Sequence, residues 1–79
     1  MAGKRQQAHH YYSVFIAYPY PAEPELAYFG FNERQASWEF YKAIKAAEHK
    51  PGARAVDLRC DGTPVASVDV SVKTMAAIA

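Results

Sequence analysis

Trp38 is the residue whose placement most needs a reason. At about 100° per residue it lies roughly 160° from the centre of the apolar stripe of its own helix, in one sector with Arg34, Lys42, Lys45 and His49. It is on the wrong side for a core tryptophan. A cationic helix face around an indole can hold an acidic protein patch or the phosphates of a nucleic acid, with Trp38 as the desolvated anchor typical of interfaces. The structural alternative folds Trp38 over the helix start onto a loop such as the proline connector, with Glu39 and Glu48 diluting the positive charge. The six tyrosines, Tyr11, Tyr12, Tyr18, Tyr20, Tyr28 and Tyr41, invite comparison with sheets that stack single-stranded bases. No string of aromatics interleaved with basic residues accompanies them, so base stacking is the weaker assignment.

Other reactive side chains fare less well. His9 and His10 can ligate a metal, with His49 or Cys60 as a third donor, but adjacent residues in an arm seldom preorganise a site and nothing fixes the third ligand. No metal and no cofactor is expected. Cys60 beside a tight turn would be a nucleophile only if His49 approached it, and neither an orienting group nor an oxyanion donor can be named. Asp57, Asp61 and Asp69 are explained by a turn and an exposed sheet face rather than as paired acids. An enzyme is therefore not expected.

Composition narrows the classes further. The 79 residues are 51% hydrophobic, 14% aromatic and 22% charged with a formal charge of +1, which fits one small domain. A domain of this size buries only about 60% of the surface its unfolded chain exposes, leaving little for a deep catalytic cavity besides a core. The single cysteine precludes an internal disulfide framework and fits a reducing compartment. No apolar run approaches the ~20 residues of a spanning helix, and the first ten residues are polar, so no membrane is expected and a cytoplasmic location is.

The elements that must position these residues follow from pattern. Residues 1–10 read as a flexible basic arm, and 11–79 as a single domain. YYSVFIAY, Tyr11 to Tyr18, is rich in aromatic and β-branched residues and reads as a strand with Tyr12, Val14, Ile16 and Tyr18 on one face and Ser13 and Phe15 on the other. Pro19, Pro21 and Pro24 make the next segment an exposed connector. Leu26 to Phe31 is a second strand, pairing with the first, and Gly30 marks a bulge or a close backbone approach. Asn32 as N-cap, a reciprocating Gln35 and Glu33 in the first turn start a helix of roughly 17 residues that Pro51 and Gly52 end, with His49 and Lys50 in its last turn. Its apolar stripe, Ala36, Phe40, Ala43, Ile44 and Ala47, is the core face.

Ala53 to Cys60 and Thr63 to Val72 form a hairpin, and parity sets its register. Val56 and Leu58 share a face with Ala66, Val68, Val70 and Val72 only if residues of like parity pair. A two-residue turn pairs Cys60 with Thr63 and fails this test, whereas a three-residue loop of Cys60, Asp61 and Gly62, with Gly62 as a G1 bulge, satisfies it. The fold class is α+β, ββαββ, a four-stranded mainly antiparallel sheet with one helix packed on one face. Strand order is left open. The second sheet face, with Phe15, Val65 and part of Tyr28, Phe29 and Phe31, needs a cover, and dimerisation is the simplest.

The aromatic strand, capped alanine-rich helix and DG hairpin in FGFNERQASWEFYKAIKAAEHKPGARAVDLRCDGTPVASVDV resemble the strand-helix-hairpin unit of tiny phage and mobile-element proteins. Across residues 11–72 the chain is similar in character to anti-CRISPR proteins acting on type I, Cascade-based systems. The resemblance implies non-enzymatic inhibition by docking on the RNA-guided complex and blocking target DNA binding, and near-neutral charge favours surface docking over DNA mimicry. The expected partner-binding residues are Trp38, Arg34, Lys42, Lys45 and His49, with Phe15 on the open sheet face as the other surface. Direct nucleic-acid binding and a homodimeric structural module are the alternatives.

Overall fold

The computed structural model describes residues 9–71. Strand β1 (Tyr12–Ala17) leads to β2 (Glu25–Gly30), helix α1 (Glu33–Ala47), β3 (Ala55–Cys60) and β4 (Thr63–Asp69). This is the expected α+β order. The strands form one sheet in the order β2-β1-β3-β4, and every pairing is antiparallel. Because β2 and β3 both run opposite to β1, they run parallel to each other, and a parallel connection needs a long crossover, which α1 supplies. The helix is thereby laid across one face of the sheet.

The connector between β1 and β2 is a turn in which Ala22 N–H donates to Pro19 O at 3.0 Å, with a cis Tyr20–Pro21 bond at its centre. On the helix side of the sheet Val14, Ile16 and Val56 are buried with Ala43, Ala47, Ala53 and Val70, and Tyr18, Tyr28, Phe40, Ile44, Leu58 and Val68 pack around them. Ala36 is also fully buried. The alanines of α1 are the reason one short helix suffices: without bulk at the contact, its backbone can approach the valines of β1 and β3 closely.

Three details differ from expectation, each for a local reason. The β3–β4 turn has two residues rather than three: Asp61 (φ 55°) and Gly62 (φ 83°) are both left-handed, the primed geometry whose twist matches the strands, and Cys60 pairs with Thr63. Parity is restored inside β4, where Arg59 pairs with Pro64 but Leu58 with Ala66, leaving Val65 as the extra residue. Pro64 has no N–H for the ladder, so the irregularity falls beside it. Val56 and Leu58 then share a face with Val68 and Ala66 as expected.

In β2 the bulge falls at Ala27, between the pairs Val14–Tyr28 and Phe15–Leu26, not at Gly30. Gly30 is instead a close approach, where a Cβ would run into the end of the Tyr28 side chain. The bulge turns Tyr28 toward the core and Leu26 outward, where it is exposed.

The helix opens as read from sequence, with Asn32 Oδ1 accepting from Gln35 N–H at 2.8 Å and Glu33 in the first turn. The Gln35 side chain does not reciprocate; its Nε2 donates to Glu39 at 2.8 Å. The helix also ends earlier, at Ala47, because the bonds tighten to three-residue spacing, His49 N–H to Ala46 O and Lys50 N–H to Ala47 O. Lys45, not His49 or Lys50, is the basic residue of the last turn. Val72 and the tail of 73–79 lie outside the described residues, as does most of the expected arm.

Candidate functional site

The outward face of α1 carries the residues singled out first. Trp38 is 55% exposed and does not fold back over the helix start; its ring stacks on Tyr41 at 5.9 Å between centroids and 22° between planes. Lys45 Nζ sits 5.6 Å from the Tyr41 ring, a cation–π contact. Lys42 Nζ is 3.5 Å from Glu39 Oε2 and Arg34 is exposed one turn before Trp38, whereas His49, expected on this face, is exposed in the turn beyond the end of α1. A surface of stacked rings framed by cations results. Stacking holds the indole in place before any partner arrives, which lowers the entropy lost when a side chain is immobilised at an interface. Tyr41, not among the expected site residues, follows from spacing, since residues three apart are neighbours on a helix.

Phe15 lies elsewhere. On the sheet face away from α1 it sits half-buried under Arg59, whose guanidinium carbon is 4.7 Å from the ring centroid. Arg59 Nη2 is 3.6 Å from Asp57 Oδ2, and Asp57 Oδ1 accepts from Ser67 Oγ at 2.8 Å. Phe15 is thus shielded by a neighbouring cation and is a poorer anchor than Trp38. Beside it Tyr11, Phe29 and Phe31 form a row, with centroid separations of 5.7 Å and 5.6 Å. These three rings are exposed, as are Leu26 and Val65. Arg59 Nε is buried without a hydrogen-bond acceptor. The row depends on the β1–β2 pairing; Tyr11, read from sequence as the first residue of the strand, lies just before β1.

A third cluster closes the end of the sheet. His10 Nδ1 and Asp61 Oδ2 are 2.6 Å apart, Tyr11 N–H donates to Asp61 Oδ1 at 3.1 Å, and Cys60 Sγ lies 3.9 Å from Asp61 Oδ2. The hydrogen bonds from His10 and from the Tyr11 backbone hold the Asp61 carboxyl below its ordinary range. His10, read as part of a loose arm, is tied to the β3–β4 turn. The three aspartates share no common site: Asp57 meets Ser67 and Arg59, Asp61 this cluster, and Asp69 the hydroxyl and N–H of Ser71.

Comparison with protein-family models, curated proteins and solved structures returns no match to this chain. Among the described residues no helix is long and apolar enough to cross a membrane.

Proposed function

We propose that this protein is a small, non-enzymatic binding protein that docks on a protein partner through the outward face of α1. The observation that carries this reading is the exposed Trp38–Tyr41 stack, with Lys45 against the Tyr41 ring and Arg34 and Lys42 exposed on the same helix face. A large apolar surface on the solvent side of a helix contributes nothing to the core, and indole, phenol and guanidinium are the groups that dominate interface energetics. The complementary surface is an apolar pocket with an acidic rim. The resemblance to anti-CRISPR proteins supplies the partner class: a type I Cascade complex, whose target DNA binding the docked protein blocks.

The test is gel migration of the protein with purified type I Cascade complexes, with target duplex added afterwards and a parallel lane of DNA alone across a salt series. Co-migration with loss of DNA loading, abolished by Trp38→Ala with Lys42→Glu and Lys45→Glu in a folded protein, supports the reading. Unchanged affinity in that variant overturns the helix-face assignment, and absence of association overturns the Cascade partner. A salt-sensitive shift of DNA alone would place the protein with direct nucleic-acid binders, because phosphate contacts release counterions.

A second reading rests on the other sheet face. The row Tyr11, Phe29 and Phe31, with Arg59 already turned onto Asp57 and Phe15, offers apolar surface and few free cations. That chemistry fits the same face of another copy better than a phosphate backbone.

A further inference from the structure

The cluster at the end of the sheet has a donor set of its own. One ligand atom each from His10, Cys60 and Asp61, a nitrogen, a sulfur and an oxygen, lie within 4.8 Å of one another. They come from the residue before Tyr11, from the end of β3 and from the β3–β4 turn, and two hydrogen bonds hold these segments together, one between backbones and one to the carboxylate: Asp61 N–H to Tyr11 O at 2.8 Å and Tyr11 N–H to Asp61 Oδ1 at 3.1 Å. The second bond occupies one carboxylate oxygen and leaves Oδ2 facing His10 and Cys60, the way outer hydrogen bonds orient a metal ligand. Sequence spacing could not reveal this, because His10 and Asp61 are 51 residues apart and meet only through the β1–β3 pairing.

We propose that His10 Nδ1, Cys60 Sγ and Asp61 Oδ2 form a site for a borderline-soft divalent cation of the Zn²⁺ class. Bond lengths of about 2.0–2.3 Å at a tetrahedral ion set its donors roughly 3.3–3.7 Å apart. The Cys60–Asp61 distance, 3.9 Å, is close to this, while the His10–Asp61 hydrogen bond at 2.6 Å must open by less than about an ångström. Both side chains are about half exposed, so they can rotate and the ion can enter. The ion takes the place of the bridging hydrogen: His10 turns its Nδ1 lone pair to the metal with its proton on Nε2, Cys60 binds as thiolate and releases one proton to water, and Asp61 binds as the carboxylate. Three protein donors leave a fourth position for water. Bound metal would pin His10 to the β3–β4 turn and stabilise the folded chain by mass action.

Co²⁺ is the probe, because thiolate ligation gives a charge-transfer band and the chain has a single cysteine. Titration of the reduced full chain, in a reductant that is not a thiol, is expected to give this band with tetrahedral d–d absorption at one metal per chain, displaced by Zn²⁺. Cys60→Ser should abolish the band, and His10→Ala and Asp61→Asn should each weaken affinity at least tenfold. Asn is tolerated at a left-handed turn position, so Asp61→Asn removes the carboxylate while keeping the turn, and circular dichroism checks this. In thermal melts Zn²⁺ should raise the midpoint of the wild type and not of the variants. A band-free octahedral spectrum, a stoichiometry of one metal per two chains, or equal affinity in His10→Ala and Asp61→Asn would overturn the site.

Discussion

Trp38 separates binding from stability because it touches so little of the core. Its main neighbour is Tyr41, itself exposed, so Trp38→Ala should change unfolding free energy by less than about 1 kcal/mol in urea melts while costing at least about tenfold in partner affinity. A large loss of stability would mean that the indole is structural. Tyr12 and Tyr18 behave differently. Burial pushes both phenols above their ordinary value of 10.0, with Glu33 and then Cys60 contributing at Tyr12, and with a 2.8 Å hydrogen bond to Glu25 at Tyr18. The folded state therefore holds these protons more tightly than the unfolded chain, so the associated stability is complete below pH 10 and is lost as pH rises through the folded values. Urea midpoints should fall above pH 10, and less steeply in Tyr18→Phe; an equal slope in that variant would show that Tyr18 is not the group involved.

At the scale of elements, the helix cap and the hairpin turn are the local features with the clearest cost. Asn32→Ala removes the acceptor for Gln35 N–H and should lower stability by about 1 kcal/mol, with Asn32→Asp near neutral. Gly62 at φ 83° has the Tyr11 hydroxyl within 3.3 Å of where a Cβ would stand, so Gly62→Ala adds strain to both the turn and the Tyr11 contact. A loss of about 1 kcal/mol or more is expected from chemical denaturation. The outward helix face was legible from sequence because a 3.6-residue period fixes which side each residue takes, and Trp38, Lys42 and Lys45 stand where that period puts them. Bulges were not legible. Whether an extra residue falls at Ala27, Gly30, Val65 or the turn depends on which neighbouring strand must be matched, and several placements satisfy the same parity.

For the whole molecule, one layer of helix on one layer of sheet leaves stability concentrated in few side chains. Among the described residues Ile16, Val14, Val56 and Val70 are the largest fully buried side chains, and Ile16→Ala should cost about 2–5 kcal/mol, a large part of what a domain of this size possesses. Calorimetry should show a lowered and broadened transition. The sheet face away from α1, exposed among the described residues, carries the second reading: if copies pair through it, light scattering will show a dimer at high concentration that Phe29→Glu returns to monomer, and a monomer throughout would remove it. Element types, the ββαββ order and the inner and outer faces of β1, β3 and α1 were set by the sequence alone, since they follow from periods of 2 and 3.6, from Asn32 and from the prolines; the faces of β2 were not, because both are apolar and the bulge at Ala27 sends Leu26 and Tyr28, of like parity, to opposite sides. The strand order β2-β1-β3-β4, the row Tyr11–Phe29–Phe31 and the meeting of His10 with Cys60 and Asp61 were decided only by tertiary structure. Each depends on which strand lies beside β1, and four amphipathic strands of similar length can be paired in several ways without disturbing any local pattern.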